Sequence, residues 1–153
     1  EVDRILEINP VTGEVLGEPA DRILIVGWGS TYGAIAGAIR HARADGIGVS
    51  HLHLRRLWPL PSDLADILRR FDHVIVPELN LGQLAFLLRA QYLVPVRSLA
   101  KVQGKPFVER EILREIAKVR EEAAVRGASR KTGGPGGSEG FGEGENGRHG
   151  ARN

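Results

Sequence analysis

Three glycines, Gly27, Gly29 and Gly33, follow an apolar run in ILIVGWGSTYG, with Trp28, Ser30 and Thr31 among them. A strand that empties through glycines into a helix leaves backbone N–H groups pointing outward, and the helix dipole adds partial positive charge there. Such a turn can hold an anion or the polar groups of a partner. The dinucleotide fingerprint is G-x-G-x-x-G with an acid about 20 residues further on. Here the spacing is G-x-G-x-x-x-G, and the next strand ends in His53, Leu54, Arg55 and Arg56 with no Asp or Glu. Arg55 and Arg56 could meet a 2′-phosphate, which keeps NADP as a minor alternative. The Walker pattern fails because no lysine follows the last glycine.

A second group is Glu78, Asn80 and Gln83 in PELNLGQ. A carboxylate at the end of a strand, beside a helix start, could be an acid/base group or a thiamine-ring partner. It could equally complement the helix dipole, and a capping and interdomain role is the favoured reading. Asn80 is placed to cap the next helix, with Gln83 three residues on as a capping-box partner. His51 and His53 are two apart on a strand and share a face. Two imidazoles need a third ligand to make a metal site, and none is evident, so packed or surface histidines are expected, with His53 a hydrogen-bonding residue at the domain edge. Ser30 has no base and orienting acid near it in sequence to make it a nucleophile. Trp28 and Trp58 fall on strand-end loops, where large aromatics more often anchor a protein interface than stack on a cofactor.

The elements that must position these residues alternate. Ile23–Val26 reads as a strand, Thr31 to Ala44 as a helix with Ile35, Ile39 and Ala42 inward, and Val49–Leu54 as a strand. Ser62 is expected to cap a helix carrying Leu64, Ile67, Leu68 and Phe71, and Val74–Val76 is a third strand. Leu81, Leu84 and Leu88 form the expected buried stripe of the next helix, and Tyr92 to Leu99 a fourth strand interrupted at Pro95. A last helix from Val108 to Val125 turns Ile112, Ile116 and Val119 inward and stops at Gly127. Strands alternating with helices give an α/β fold with a parallel sheet covered on both faces. Ligand sites in such sheets lie beyond the carboxyl ends of the strands. That rule selects the segments at Gly27–Gly33, His53–Leu60, Pro77–Gly82 and Leu99–Phe107.

Residues 1–19 read as a strand or hairpin, with Val2, Ile5 and Ile8, turn chemistry at 9–13 and Val15-Leu16. Residues 20–126 form the globular domain. Residues 127–153 hold ten of the twenty glycines and one large apolar residue, Phe141, too little to offset the ordering entropy, so a flexible tail is expected. From Arg126 onward there are five Lys/Arg and three Asp/Glu, leaving sixteen of each in residues 1–125. The globular part is therefore neutral, and a nucleic-acid surface is not indicated. No apolar run approaches the about 18 residues of a membrane span. The absence of cysteine removes disulfides, thiol nucleophiles and cysteine-ligated clusters from this chain, and fits a cytoplasmic setting. With no methionine and an opening at Glu1 directly into VDRILEI, the sequence reads as a piece of a longer polypeptide.

The segments LIVGWGSTYGAI, HLRRLWPLP, VIVPELNLGQLAFLLRAQYLV and VQGKPF together resemble the C-terminal domain of the alpha subunit of 2-oxoacid:ferredoxin oxidoreductases, the 2-oxoglutarate type in particular. The resemblance covers roughly Ile23 to Ile116. It implies a transketolase C-terminal-like fold, a three-layer α/β/α arrangement around a mostly parallel five-stranded sheet with one antiparallel strand. The segment before Ile23 is a candidate for an extra edge strand. It also implies oxidative decarboxylation of a 2-oxoacid with coenzyme A, using thiamine diphosphate, Mg and an iron–sulfur cluster, with electrons passed to ferredoxin. Those cofactors would be held by upstream domains of the same subunit and by a beta subunit. This chain would supply packing surfaces. The expected interface or anion-loop residues are Gly27, Trp28, Gly29, Ser30, Thr31, Gly33, His53, Arg55, Glu78, Asn80 and Gln83. A comparable domain of transketolase or of a 2-oxoacid dehydrogenase is the near alternative, and a stand-alone NADP or phosphate module the distant one.

Overall fold

The structure, a computed structural model, describes residues 15–132, with side chains described to residue 126. The expected turn at 9–13, the apolar residues Val2, Ile5 and Ile8, and most of the glycine-rich segment lie outside the described residues. In chain order the elements are β1 (Val15–Leu16), β2 (Ile23–Trp28), a single 3-10 turn (Gly29–Thr31), α1 (Tyr32–Ala44), β3 (Val49–Leu54), α2 (Leu64–Arg69), β4 (His73–Glu78), α3 (Gln83–Tyr92), β5 (Val96–Ala100) and α4 (Glu109–Thr132).

The five strands make one sheet in the order β1-β3-β2-β4-β5. Strands β2 to β5 are parallel, and β1 alone pairs antiparallel, with Val15 opposite Leu52 and Leu16 opposite His51. The candidate edge strand is thus present. Alternation along each strand divides the apolar residues between two faces. Leu24, Val26, Leu52, Leu54, Val74, Val76 and Val96 pack with Leu64, Leu68, Leu84 and Leu88 of α2 and α3. Ile23, Ile25, Val49 and Ile75 pack on the other face with Ile35, Ile39, Ile112, Ile116 and Val119 of α1 and α4. Both faces are covered, which is why β2 and β4 carry continuous apolar runs, while β3, beside the two-residue edge strand, brings Ser50, His51 and His53 among its apolar residues.

Polar contacts fix the edges. Asp21 is buried in the β1–β2 connection. Its carboxylate accepts from Arg43 Nη2 at 2.6 Å, Ser50 Oγ at 2.8 Å and Glu18 N at 3.0 Å, which ties the connection to α1 and β3. Arg97 of β5 pairs with Glu115 and, at 2.8 Å, with Glu122. Lys101, just past β5, donates to both oxygens of Glu111 and to Pro106 O. Together these hold α4 against the outer strand.

Four local expectations are corrected. Leu81 is not in the buried stripe of α3: it is 83% exposed, because Asn80 to Gly82 form a turn and the helix begins only at Gln83. Tyr92 closes α3 rather than opening a strand, and β5 starts after Pro95. The α2 helix starts at Leu64 behind Asp63 rather than Ser62, and spans six residues, so Phe71 packs from beyond its end. Helix α4 runs through Gly127 to Thr132. A glycine inside a helix costs about 1 kcal/mol relative to alanine, which a long helix absorbs.

Candidate functional site

The parallel register brings the two motifs to one edge. Ile23, Leu24 and Ile25 pair with His73, Val74 and Ile75, so Trp28 and Glu78, the last residues of β2 and β4, finish at the same carboxyl edge of the sheet. Trp28 also pairs with Leu54, which places the Arg55–Leu60 loop beside them. Gly29 and Asn80 therefore occupy neighbouring loops on one rim.

The glycine turn has two distinct demands. Gly29 sits at φ +59° with open space where a Cβ would be, so only its backbone conformation calls for glycine. Gly27 is held by crowding: a Cβ there would lie 2.4 Å from Ile35 Cδ1, 3.1 Å from Thr31 Oγ1 and 3.2 Å from His53 Nδ1. Thr31 turns back on the strand. Its hydroxyl donates to Trp28 O at 2.8 Å and accepts from Trp28 N at 3.2 Å. Gly33 belongs to α1 and not to the turn, while Ser30 and Arg55 are exposed.

At the PELNLGQ turn, two side chains take up the start of α3. Asn80 Oδ1 accepts from the amides of Gly82 at 2.7 Å and Gln83 at 3.2 Å. Glu78 is fully buried, and its two oxygens accept from Leu84 N at 2.8 Å and Ala85 N at 2.9 Å. The next amide, Phe86 N, returns to Gly82 O. The donors that a helix start leaves without an intrahelical partner are thus given to two side chains of this chain. The cap expected from an Asn80–Gln83 pair is completed instead by Glu78, whose carboxylate also sits at the positive end of the helix dipole. Trp28, Leu57, Glu78, Asn80, Gln83, Leu84 and Leu87 surround a cavity of about 330 Å³. The Trp28 indole Nε1 is buried there without a protein partner.

His51, His53 and Tyr32 form a second cluster on the α1 side of the sheet. Ring centroids lie 5.3 Å apart for Tyr32–His51, 5.0 Å for Tyr32–His53 and 5.7 Å for His51–His53. His51 is buried, with Nε2 unpartnered, and its pKa falls to about 4, first through burial and then through the neighbouring His53. The pKa of His53 is also lowered, by burial and by Arg55. Both imidazoles are neutral near pH 7. Among the described residues no group of three or more His, Asp or Glu is placed to hold a metal ion, and the cysteine-free chain offers no thiolate for a cluster.

The structure thus brings Trp28, Glu78, Asn80 and Gln83 around one cavity and gathers Gly27, Thr31 and His53 into a packed patch behind it. Of the apolar walls of the cavity, Leu84 read as core from its helical spacing, while Leu57, in the loop after β3, and Leu87 carried no signal beyond being apolar. Tyr32, the first residue of α1, was not singled out, because an aromatic at a helix start carries no sign that it lies against two histidines of a neighbouring strand. Chemically the rim is inward-looking. Its carboxylate, carboxamide and threonine hydroxyl serve backbone groups, while Trp58 (72% exposed), Leu79 and Leu81 face outward.

Residues 20–112 match the family described as pyruvate:ferredoxin oxidoreductase core domain II. The 2-oxoglutarate oxidoreductase subunit KorA of Mycobacterium tuberculosis is 49% identical over 111 residues, covering 72% of this chain and 16% of the relative. Among solved structures, the 2-oxoglutarate:ferredoxin oxidoreductase from Magnetococcus marinus, with 2-oxoglutarate, coenzyme A and succinyl-CoA bound, aligns with a TM-score of 0.69 and 31% identity. That alignment covers 78% of this chain and 21% of that one. A split-gene transketolase, an inactive beta4 tetramer, shares the fold with a TM-score of 0.57 at 24% identity, covering 72% of this chain and 41% of that one. The chain therefore spans about a sixth to a fifth of the length of the two oxidoreductase chains it resembles.

Proposed function

Because the chain belongs to the pyruvate:ferredoxin oxidoreductase core domain II family, we propose that it is the transketolase C-terminal-like domain of the alpha subunit of a 2-oxoglutarate-type 2-oxoacid:ferredoxin oxidoreductase. Residues 20–126 are the domain, residues 1–19 its link to upstream domains, and residues 127–153 an appended tail. The whole enzyme, in the cytoplasm, converts the oxoacid to its acyl-CoA and passes electrons to ferredoxin. Thiamine diphosphate supplies the carbanion chemistry and the iron–sulfur cluster the electron relay; the cysteine-free sequence offers the cluster no thiolate, and the Glu78 carboxylate is already taken by the Leu84 and Ala85 amides, which supports a place for both groups elsewhere in the enzyme. Both belong to upstream domains and to the beta subunit.

The role of this chain is packing beside the reactive centre. One observation carries that role: at the carboxyl rim Thr31, Glu78 and Asn80, the side chains nearest the strand ends, are committed to the backbone, and Trp58, Leu79 and Leu81 are left facing out. Exposed apolar residues clustered on strand-end loops suit a protein partner better than a small polar substrate. The chain alone, offered 2-oxoglutarate, coenzyme A and a reducible dye, is expected to leave the dye oxidised, whereas the assembled enzyme reduces it. Dye reduction by the lone chain overturns the packing role.

A further inference from the structure

Helix α3 is apolar on two opposite sides. Leu84 and Leu88 are buried against the sheet. At 100° per residue, Phe86, Ala90 and Leu93 fall on the far side, at the i, i+4, i+7 spacing of a second stripe, with Leu87 on its flank. Phe86 is 70% and Leu93 89% exposed. A surface helix normally carries charge on that side, and one that is apolar all round belongs in an interior. The one basic residue nearby, Arg89, is turned aside and donates from Nε to Val96 O at 2.7 Å.

Leu93 adds an independent sign. It closes the helix at φ +53°, ψ +38°, the left-handed conformation usually given to glycine. A leucine there costs about 1 kcal/mol, and an almost fully exposed side chain returns nothing in this chain. Its apolar surface is useful only if something else covers it.

We propose that the Phe86–Ala90–Leu93 stripe is the seat of a helix supplied by the remainder of the same subunit. The inference rests on reading the chain as one domain of a longer polypeptide, and this chain matches only 16% of the length of its Mycobacterium relative. The stripe's i±4 ridge and its lack of charge fit the groove of an apolar helix face. A covalently attached segment meets the stripe at an effective concentration of order millimolar, which a free partner does not have.

The test uses the full-length subunit in its assembled enzyme, with the photo-crosslinker p-benzoylphenylalanine replacing Phe86 or, separately, Leu93. The expected product is an intramolecular cross-link, unchanged in chain mass, to an apolar residue of a helix in the same subunit. The same probe at Asp66, on the exposed side of α2, is expected to give no such product. A product of doubled mass, a cross-link to another subunit, or no cross-link at all overturns the proposal. Dye reduction by the same preparation is read separately. Turnover with a wrong cross-link defeats only the helix seat, whereas a subunit that assembles into no oxoacid oxidoreductase defeats the reading beneath it.

Discussion

His51 couples the packing of the α1 face to pH. Its folded-state pKa of about 4 lies below the ordinary value of 6.5, so the unfolded chain binds the extra proton first. The stabilisation is whole above pH 6.5 and is lost as the pH falls through 6.5 towards 4, amounting to about 3 kcal/mol for a shift of this size at a buried site. Replacing His51 by Phe keeps a ring under Tyr32 and removes both the titration and an unpartnered buried nitrogen. Urea titrations at pH 7 and pH 4.5 are expected to differ less for this variant than for the parent. An equal acid loss in both would assign the pH dependence to other groups. Glu78 is the second residue on which stability turns. Glu78→Ala leaves the Leu84 and Ala85 amides buried without acceptors, a loss of about 2–4 kcal/mol, seen as a fall in Tm. At Gly29 the constraint is conformational alone, so Gly29→Val is expected to strain the turn by about 1–2 kcal/mol and to weaken assembly of the complete enzyme. Sedimentation of the assembled complex checks this, and a normal complex removes the turn from the interface.

At the scale of elements, helix α3 shows what a sequence does and does not reveal. Its inner stripe was legible because Leu84 and Leu88 repeat at helical spacing. Leu81 has the same spacing yet is exposed, since the Asn80 cap and the turn through Gly82 delay the helix by two residues. The far end was misread for a related reason. Leu93 occupies a left-handed position where glycine would have announced a stop, and the run Tyr92-Leu93-Val94 looks like a strand until the backbone is seen. The buried strands β2 and β4, by contrast, were legible from their apolar runs, β3 as the segment between the Gly46–Gly48 stop and the breaks at Pro59 and Pro61, and the rim residues from the rule that sites follow strand ends. Capping by both Glu78 and Asn80 was legible as a carboxylate and an asparagine ahead of a helix start; which amides each receives was not, because a glutamate six residues before its donor leaves no local signature. The left-handed leucine also makes a prediction. Leu93→Gly is expected to stabilise this chain in isolation by about 1 kcal/mol and to weaken the full-length subunit. Paired melting curves of the two forms check it, and a gain in both would leave Leu93 without an interdomain role.

For the molecule as a whole, each face of the sheet carries a buried apolar cluster among the described residues, and the glycine-rich segment beyond Thr132 has a single large apolar residue, Phe141, to add to either. Deleting residues 133–153 is therefore expected to leave Tm unchanged in differential scanning calorimetry, and a large drop would reveal a packed segment. The single reversed strand has a wider meaning. Since β1 runs against its neighbours, the backbone reaches Val15 from the side of the sheet where Trp28 and Glu78 finish. Val15 thus opens the described chain at the border that carries the glycine turn and the capped helix, so on the proposed reading the link to upstream domains and the docking rim share one frontier. A tether anchored there would limit how far the domain can swing from whatever it adjoins.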